Sequence, residues 1–114
     1  MALLIIGYNL NAQSPEVGGR IRDFKGEPIP GVNILVKGTP NGAVTNPEGY
    51  FKIKIPYGSH VLTYSFIGYK SIEQKIHVNA DFFWNLDVTM VTKGSKGKGS
   101  TKFVEREVIP QSKN

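Results

Sequence analysis

Apolar and polar side chains alternate with a period of two along most of this chain, and that period decides which secondary structure it can form. In YFKIKI, residues 50–55, the phenylalanine and both isoleucines share one face, and the tyrosine and both lysines share the other. This alternation is typical of a β-strand with one buried and one exposed face. No window has an apolar period of 3.6 residues long enough for a capped helix, so the sequence predicts an all-β fold. The alternation recurs in GVNILVK (31–37), HVLTYSF (60–66), KSIEQKIHV (70–78) and WNLDVTM (84–90), and more weakly in EVGGRIRDF (16–24).

Turn-forming segments separate these strands. Pro28 and Pro30 cannot donate hydrogen bonds to a sheet ladder, so EPIPG is predicted to be an extended edge segment or a bulge. Gly26 closes the turn after the first strand and is suited to a positive φ angle. Six to seven short strands, each with one polar face, indicate an antiparallel sandwich of two sheets packed on a shared core. Further tight turns are predicted at PNG (40–42), NPEG (46–49), PYGS (56–59) and IGYK (67–70).

The chain divides into a single predicted domain and two flanking segments. Its 114 residues fit one domain, which we predict at residues 13–92. Residues 1–12 are predicted to be the remnant of a signal peptide, because residues 3–6 form an apolar run and Ala12 is a small residue at the expected cleavage position. The apolar run is far too short for a transmembrane helix, and no other stretch approaches that length. No transmembrane span is therefore predicted.

Residues 93–114 are predicted to form a basic, flexible tail. The alternation stops near Lys93, and KGSKGKGSTK is a low-complexity run of glycine, serine and lysine. This segment has six basic and two acidic residues, a net charge of +4, whereas residues 1–92 carry only +1. A charge excess confined to a tail is more typical of a solvated chain end than of a nucleic-acid interface. Nucleic acid is therefore not predicted as a partner.

Few residues are available for catalysis or for a cofactor. The chain has no cysteine, which excludes disulfides, zinc sites with thiolate ligands and cysteine catalysis. His60 and His77 are the only histidines, and the nucleophile-elbow motif is missing. GSKGKGST, residues 94–101, has the glycine spacing of a phosphate-binding loop, but Ser100 stands where that loop requires lysine. The sequence predicts a protein without enzymatic activity, and without a metal or another cofactor.

Aromatic side chains supply the one candidate ligand site. Tyr64 and Phe66 share the phase of buried aliphatic residues, as Trp84 does in its own strand, so all three are predicted to lie in the core. The ends of the sandwich are predicted to expose three further rings. Exposed aromatic rings can stack on sugars, so a carbohydrate-binding module is an alternative function. The candidate glycan contacts are Tyr57, Tyr69 and Phe82.

Three motifs together resemble one domain family. They are G-x-I-x-D-x-x-G-x-P-I-P-G-V, V-K-G-T-x-N-G-x-V-T-N-x-x-G-Y-F and L-x-Y-S-F-I-G-Y-K, which begin at residues 19, 36 and 62. The combination resembles the carboxypeptidase-like regulatory domain, in particular the version found ahead of the plug in SusC-type TonB-dependent outer-membrane receptors. It covers residues 17–78. The resemblance implies a seven-stranded, transthyretin-like antiparallel β-sandwich without catalytic residues, in an exported protein typical of Bacteroidetes-like bacteria.

The segment after the sandwich departs from the receptor pattern. Such receptors continue into a TonB-box-like segment, a plug and a barrel, whereas KGSKGKGSTKFVEREVIPQSKN follows here. Two alternatives stay open: a small stand-alone exported protein, or a truncated piece of an outer-membrane nutrient receptor.

The expected function is that of a non-catalytic accessory or interaction module of the bacterial cell envelope. We expect it in the periplasm, at the outer membrane or outside the cell. The expected partner is an envelope protein or a component of an outer-membrane receptor, with a glycan as the second candidate. The predicted contact regions are the edge strands, which can accept an additional strand, and the basic tail.

Overall fold

The computed structural model describes residues 15–79 and 82–103, except for the side chains of residues 82–85 and 102–103. Within this part of the chain, eight strands form two four-stranded sheets. One sheet has the order β4-β1-β7-β8, and the other has the order β3-β2-β5-β6. The predicted all-β sandwich is confirmed. The strands are β1 (Glu16–Asp23), β2 (Asn33–Val36), β3 (Gly42–Val44), β4 (Tyr50–Lys54), β5 (Gly58–Ser65), β6 (Ile72–Val78), β7 (Phe82–Met90) and β8 (Ser100–Phe103).

The centre of the first sheet departs from a purely antiparallel arrangement. β1 pairs with β7 in parallel, whereas the other strand pairs among the described residues are antiparallel. Gly19 lies beside Leu86 just after an irregularity in this pairing, where a Cβ atom would stand only 1.8 Å from the Leu86 carbonyl oxygen. No residue with a side chain fits such a close approach of two backbones. The alternating pattern could not reveal the direction of this pair, because it records which face is buried and not which strands are neighbours.

The sandwich extends past its predicted boundary at residue 92. β8 lies within the segment predicted to be flexible, and it pairs with β7 from Leu86↔Phe103 to Thr89↔Ser100. The glycine- and lysine-rich run before β8 connects these two strands. Because this run is low in complexity and β8 has only four residues, composition alone favoured a flexible tail. Residues 104–114 and the predicted signal-peptide remnant, residues 1–12, lie outside the described part.

Both sheets contribute large aliphatic side chains to the core. Tyr64 is fully buried among them, as predicted, and its ring meets Phe51 edge-on with 6.0 Å between centroids. Phe66 is only half-buried and packs against the core from outside, whereas the side chain of Trp84 lies outside the described part. The fully buried aliphatic side chains include Val17, Ile21, Leu86, Val88 and Met90 from the first sheet and Ile34, Leu62 and Val78 from the second.

The proline segment, predicted to be an extended edge segment or a bulge, runs alongside the end of β1. Ile29 donates a backbone hydrogen bond of 3.0 Å to Ile21, and Pro28 forms a bridge with Arg22. Gly26 has a φ angle of 88°, which supplies the predicted tight turn between β1 and this segment. The buried Thr45 then fixes the segment against the second sheet. Its hydroxyl donates to the Ile29 carbonyl at 2.7 Å and accepts from the Val32 amide at 2.9 Å.

Candidate interaction surfaces

The three aromatic residues predicted to contact glycans do not form one platform. Tyr57 precedes β5 and Tyr69 follows it, so an eight-residue strand of about 26 Å separates them. Tyr57 is exposed, whereas Tyr69 is half-buried, with its ring centroid 5.7 Å from that of Phe66. Phe82 begins β7 opposite Glu16, at the same end as Tyr57, but its side chain lies outside the described part. Glycan contact stays a prediction, and a shared stacking surface for Tyr57 and Tyr69 is ruled out by their separation.

A shallow cavity of about 390 Å³ lies over the paired strands β5 and β6. His77 and Ser59 are direct cross-strand partners there, with 3.0 Å between Nδ1 and the hydroxyl oxygen, and both are exposed. In residues 15–79 and 82–103, no carboxylate is hydrogen-bonded to His77. A serine–histidine pair without an orienting acid lacks one of the three parts of a hydrolytic triad. The cavity is lined by Ser59, His60, Val61, Lys75, Ile76 and His77.

His60 and Asp87 do not join the Ser59–His77 pair. His60 lies on the opposite face of β5 from Ser59, and its Nε2 atom is 2.9 Å from the Pro56 carbonyl oxygen. Asp87 belongs to the other sheet, where it forms an ion pair of 3.2 Å with Arg22. Among the described residues, no group of three or more histidine, aspartate or glutamate side chains could hold a metal ion.

The strand β6 is the longest sheet edge in the described part of the chain. It pairs with β5 over seven residues on one side, and the sheet order ends there. At the opposite side of the sandwich, the edge strands β3 and β4 lie against each other, and the Asn41 side chain donates to the Lys54 carbonyl at 2.7 Å. β6 therefore presents the longer row of backbone donors and acceptors to an incoming strand.

The exposed face of β6 is charged rather than apolar. Glu73, Lys75 and His77 point to solvent, and Glu73 forms an ion pair of 2.8 Å with Lys37 of the neighbouring loop. Charged side chains at a sheet edge oppose indiscriminate pairing with other strands. A partner strand at this edge would need compatible charges, so the arrangement favours selective strand addition over aggregation.

None of the described residues forms a helix long and apolar enough to cross a membrane.

Comparison with known proteins shows that the chain is similar to receptor sequences. The chain is 52% identical over 68 residues to a TonB-dependent receptor of Formosa agariphila, which covers 60% of this chain and 6% of the receptor. It is 38% identical over 77 residues to the TonB-dependent receptor SusC of Bacteroides thetaiotaomicron, covering 64% of this chain and 8% of the receptor. The chain thus spans less than a tenth of the length of either receptor.

A solved structure has a similar fold, and a family profile matches the sequence. A chain of a type II cohesin–X-dockerin complex from Acetivibrio cellulolyticus superimposes with a TM-score of 0.58 at 25% identity. The superposition covers 68% of this chain and 58% of that chain. The sequence profile of the CarboxypepD_reg-like domain matches residues 17–98, which run from the second residue of β1 through β7 and into the connection to β8. The chain belongs to the CarboxypepD_reg-like domain family.

Proposed function

We propose that the chain is a non-catalytic, exported interaction module of the bacterial cell envelope that serves a TonB-dependent outer-membrane receptor. The observation that carries this proposal is the similarity to two such receptors, at 52% identity over 68 residues and 38% identity over 77 residues. The module would work in the periplasm or at the outer membrane, either alone or as part of a longer receptor.

The edge of β6 is the proposed contact for the receptor component. Strand addition needs an unpaired edge of several residues, and β6 offers seven. The charged face next to this edge would select the partner strand through charge complementarity. The basic residues beyond Lys93 are the second proposed contact region.

Cell fractionation tests the location and the receptor context together. We expect an antibody against the sandwich to detect it in the envelope fraction of cells that carry the gene. A band far above 12.6 kDa would identify it as part of a longer receptor, and a band near that mass as a stand-alone protein. Detection only in the cytosol would contradict the proposal.

The absence of cysteine allows the contact itself to be mapped. Lys75→Cys places a single thiol on β6, and Lys52→Cys places one on β4, with both positions exposed. A cysteine-directed crosslinker in envelope extract should join the receptor component to the β6 variant and not to the β4 variant. Equal crosslinking at both positions, or crosslinking at Lys52→Cys alone, would exclude the β6 edge as the contact.

A further inference from the structure

Three loops meet at one end of the sandwich, which we call the loop end: residues 23–27, 66–71 and 91–99. The parallel pairing of β1 with β7 sets Asp23 beside Met90, so the first and third loops leave the sheet side by side. The second loop is bonded to the third. Lys93 donates a backbone hydrogen bond of 2.9 Å to Gly68, and Lys70 donates one of 2.9 Å to Val91. The loop end is therefore a defined surface.

Side-chain contacts also hold the long third loop in place. The Lys70 ammonium group donates to the carbonyl oxygens of Ser95 at 2.6 Å and Gly97 at 2.8 Å. Tyr69 forms a backbone bridge with Thr92, and its half-buried ring packs against the core. These contacts fix a glycine-rich segment that has no hydrophobic side chain of its own between residues 92 and 100.

Two large apolar side chains project into solvent from the loop end. Phe24 is 66% exposed in the turn after β1, and Ile67 is 87% exposed in the turn after β5. Neither side chain is needed to form its turn. The first turn is fixed by the Asp23 carboxylate, which accepts from the amides of Lys25 and Glu27, and the second by the backbone bond from Tyr69 to Phe66.

Lysines predominate among the charged residues of the same three loops. The three loops contain five lysines and two acids, a net charge of +3. Lys93, Lys96 and Lys98 are exposed, and the Lys25 ammonium group lies 5.8 Å from the centre of the Phe24 ring. Of the two acids, Asp23 is occupied by backbone amides, which leaves Glu27 as the exposed one.

We propose that the loop end docks on the surface of a bilayer that contains anionic phospholipid. Phe24 and Ile67 would enter the boundary between headgroups and acyl chains, and the lysines would lie against lipid phosphates. Exposed apolar side chains and exposed lysines on the same three loops combine the two attractions that hold a protein at such an interface. A soluble polyanion would account for the lysines but would leave both apolar tips in water. This inference goes beyond the receptor-associated role and does not depend on it.

Sedimentation with lipid vesicles tests the proposal on the full 114-residue chain. Vesicles of phosphatidylethanolamine with phosphatidylglycerol should bind the protein, and vesicles of phosphatidylcholine alone should bind it much less. The double variant Phe24→Ser/Ile67→Ser should lower the partition coefficient about tenfold or more, because it removes the two apolar side chains that would be partly buried in the bilayer. The triple variant Lys93→Gln/Lys96→Gln/Lys98→Gln should lower it about a hundredfold, at roughly fivefold for each charge.

Two matched control variants should bind as the unmodified chain does. Leu35→Thr/Tyr57→Ser removes exposed apolar area away from the loop end, and Lys52→Gln/Lys54→Gln/Lys75→Gln removes three exposed charges from strands. The six lysines replaced in the two triple variants are all exposed. Thermal unfolding should therefore confirm that these variants are folded.

Three results would overturn the proposal. The first is an absence of binding to the anionic vesicles. The second is unchanged binding by Phe24→Ser/Ile67→Ser, which would assign the contact to another apolar segment such as residues 3–6. The third is an equal loss in both triple lysine variants, because a nonspecific charge effect does not distinguish the loop end from the strands.

Discussion

The Tyr64 hydroxyl donates a hydrogen bond of 2.5 Å to the side-chain oxygen of Gln74, inside the core and diagonally across the β5–β6 pair. Gln74 occupies a position that the alternation of β6 directs inward, between Ile72 and Ile76, and it is only 8% exposed. A buried polar side chain at such a position is stable only when its hydrogen bonds are satisfied. The two side chains therefore stabilise the fold as a pair, because each supplies a hydrogen-bond partner for the other inside the core.

We expect Gln74→Leu to lower the free energy of unfolding by about 1–3 kcal/mol, because it leaves the buried Tyr64 hydroxyl without its acceptor. Tyr64→Phe/Gln74→Leu should recover much of that loss, since both polar groups are then gone. Chemical denaturation of the two single variants and the double variant measures this coupling. Strictly additive losses would show that the two side chains act independently.

Burial raises the pKa of Tyr64 well above its usual range. The folded protein keeps this phenol protonated, whereas the unfolded chain loses the proton above about pH 10. The contribution to stability is thus complete below pH 10 and is lost as the pH rises beyond it. We expect an extra decline of about 1.4 kcal/mol per pH unit between about pH 10.5 and 11.5. Tyr64→Phe should remove that extra slope, and an unchanged slope would contradict the assignment.

Among the hydroxyl groups of the described residues, removal of the Thr45 hydroxyl should lower the free energy of unfolding most. Thr45→Val keeps the shape of the side chain but leaves the Ile29 carbonyl and the Val32 amide without their partner. We expect a loss of about 2–4 kcal/mol in the free energy of unfolding. Thr45→Ser, which keeps the hydroxyl, serves as the control and should cost clearly less. If the two variants were equally destabilised, packing of the methyl group would be the dominant contribution.

Gly19→Ala should destabilise the sandwich by about 3 kcal/mol or more, since the added carbon would overlap the Leu86 backbone and force β1 away from β7. Gly94→Ala is the matched control, because nothing lies within 4 Å of the carbon that it adds. Thermal unfolding compares the two. A midpoint for Gly19→Ala equal to that of the control would mean that the two strands can separate at little cost.

Lys70→Met should release the loop of residues 93–99 while leaving the core nearly unchanged. The variant keeps an unbranched side chain but loses both hydrogen bonds to the loop carbonyls. We expect faster hydrogen exchange and faster tryptic cleavage at Lys93, Lys96 and Lys98, with a small change in global stability. Lys75→Met, on the exposed face of β6, should leave the cleavage rate as it was. Equal protection of the loop in both variants would contradict the anchoring role of Lys70.

The alternation of side chains predicted much of the fold because it follows directly from which face of a strand is buried. Tyr64, Phe51 and Ile53 are buried as that pattern requires. The parallel pairing of β1 with β7 left no local trace, since it depends on contacts between residues about sixty-five positions apart, such as Arg22 and Asp87. The sequence pattern does not indicate β8, because the loop before this strand is held in place by Lys70, which lies outside the glycine-rich run.

The candidate surfaces were harder to predict than the core. Tyr57 and Tyr69 are close in sequence and far apart in space, because a whole strand lies between them. Phe24 and Ile67 are exposed on turns that the fold brings to the loop end from distant parts of the sequence. The spacing of apolar residues does not predict which turns lie at the same end. Exposed residues are constrained by few neighbours, so pattern alone says little about them.

The parallel pairing of β1 with β7 also sets the order in which this domain can fold. The first strand occupies the middle of its sheet, yet one of its two neighbours is made only when Met90 has been synthesised. Long-range pairings of this kind slow folding, since a long loop must close before any contact is gained. A chain that ends at residue 79 should therefore show no cooperative unfolding transition, and one that ends at residue 103 should. Folding thus waits until nearly the whole domain has been made.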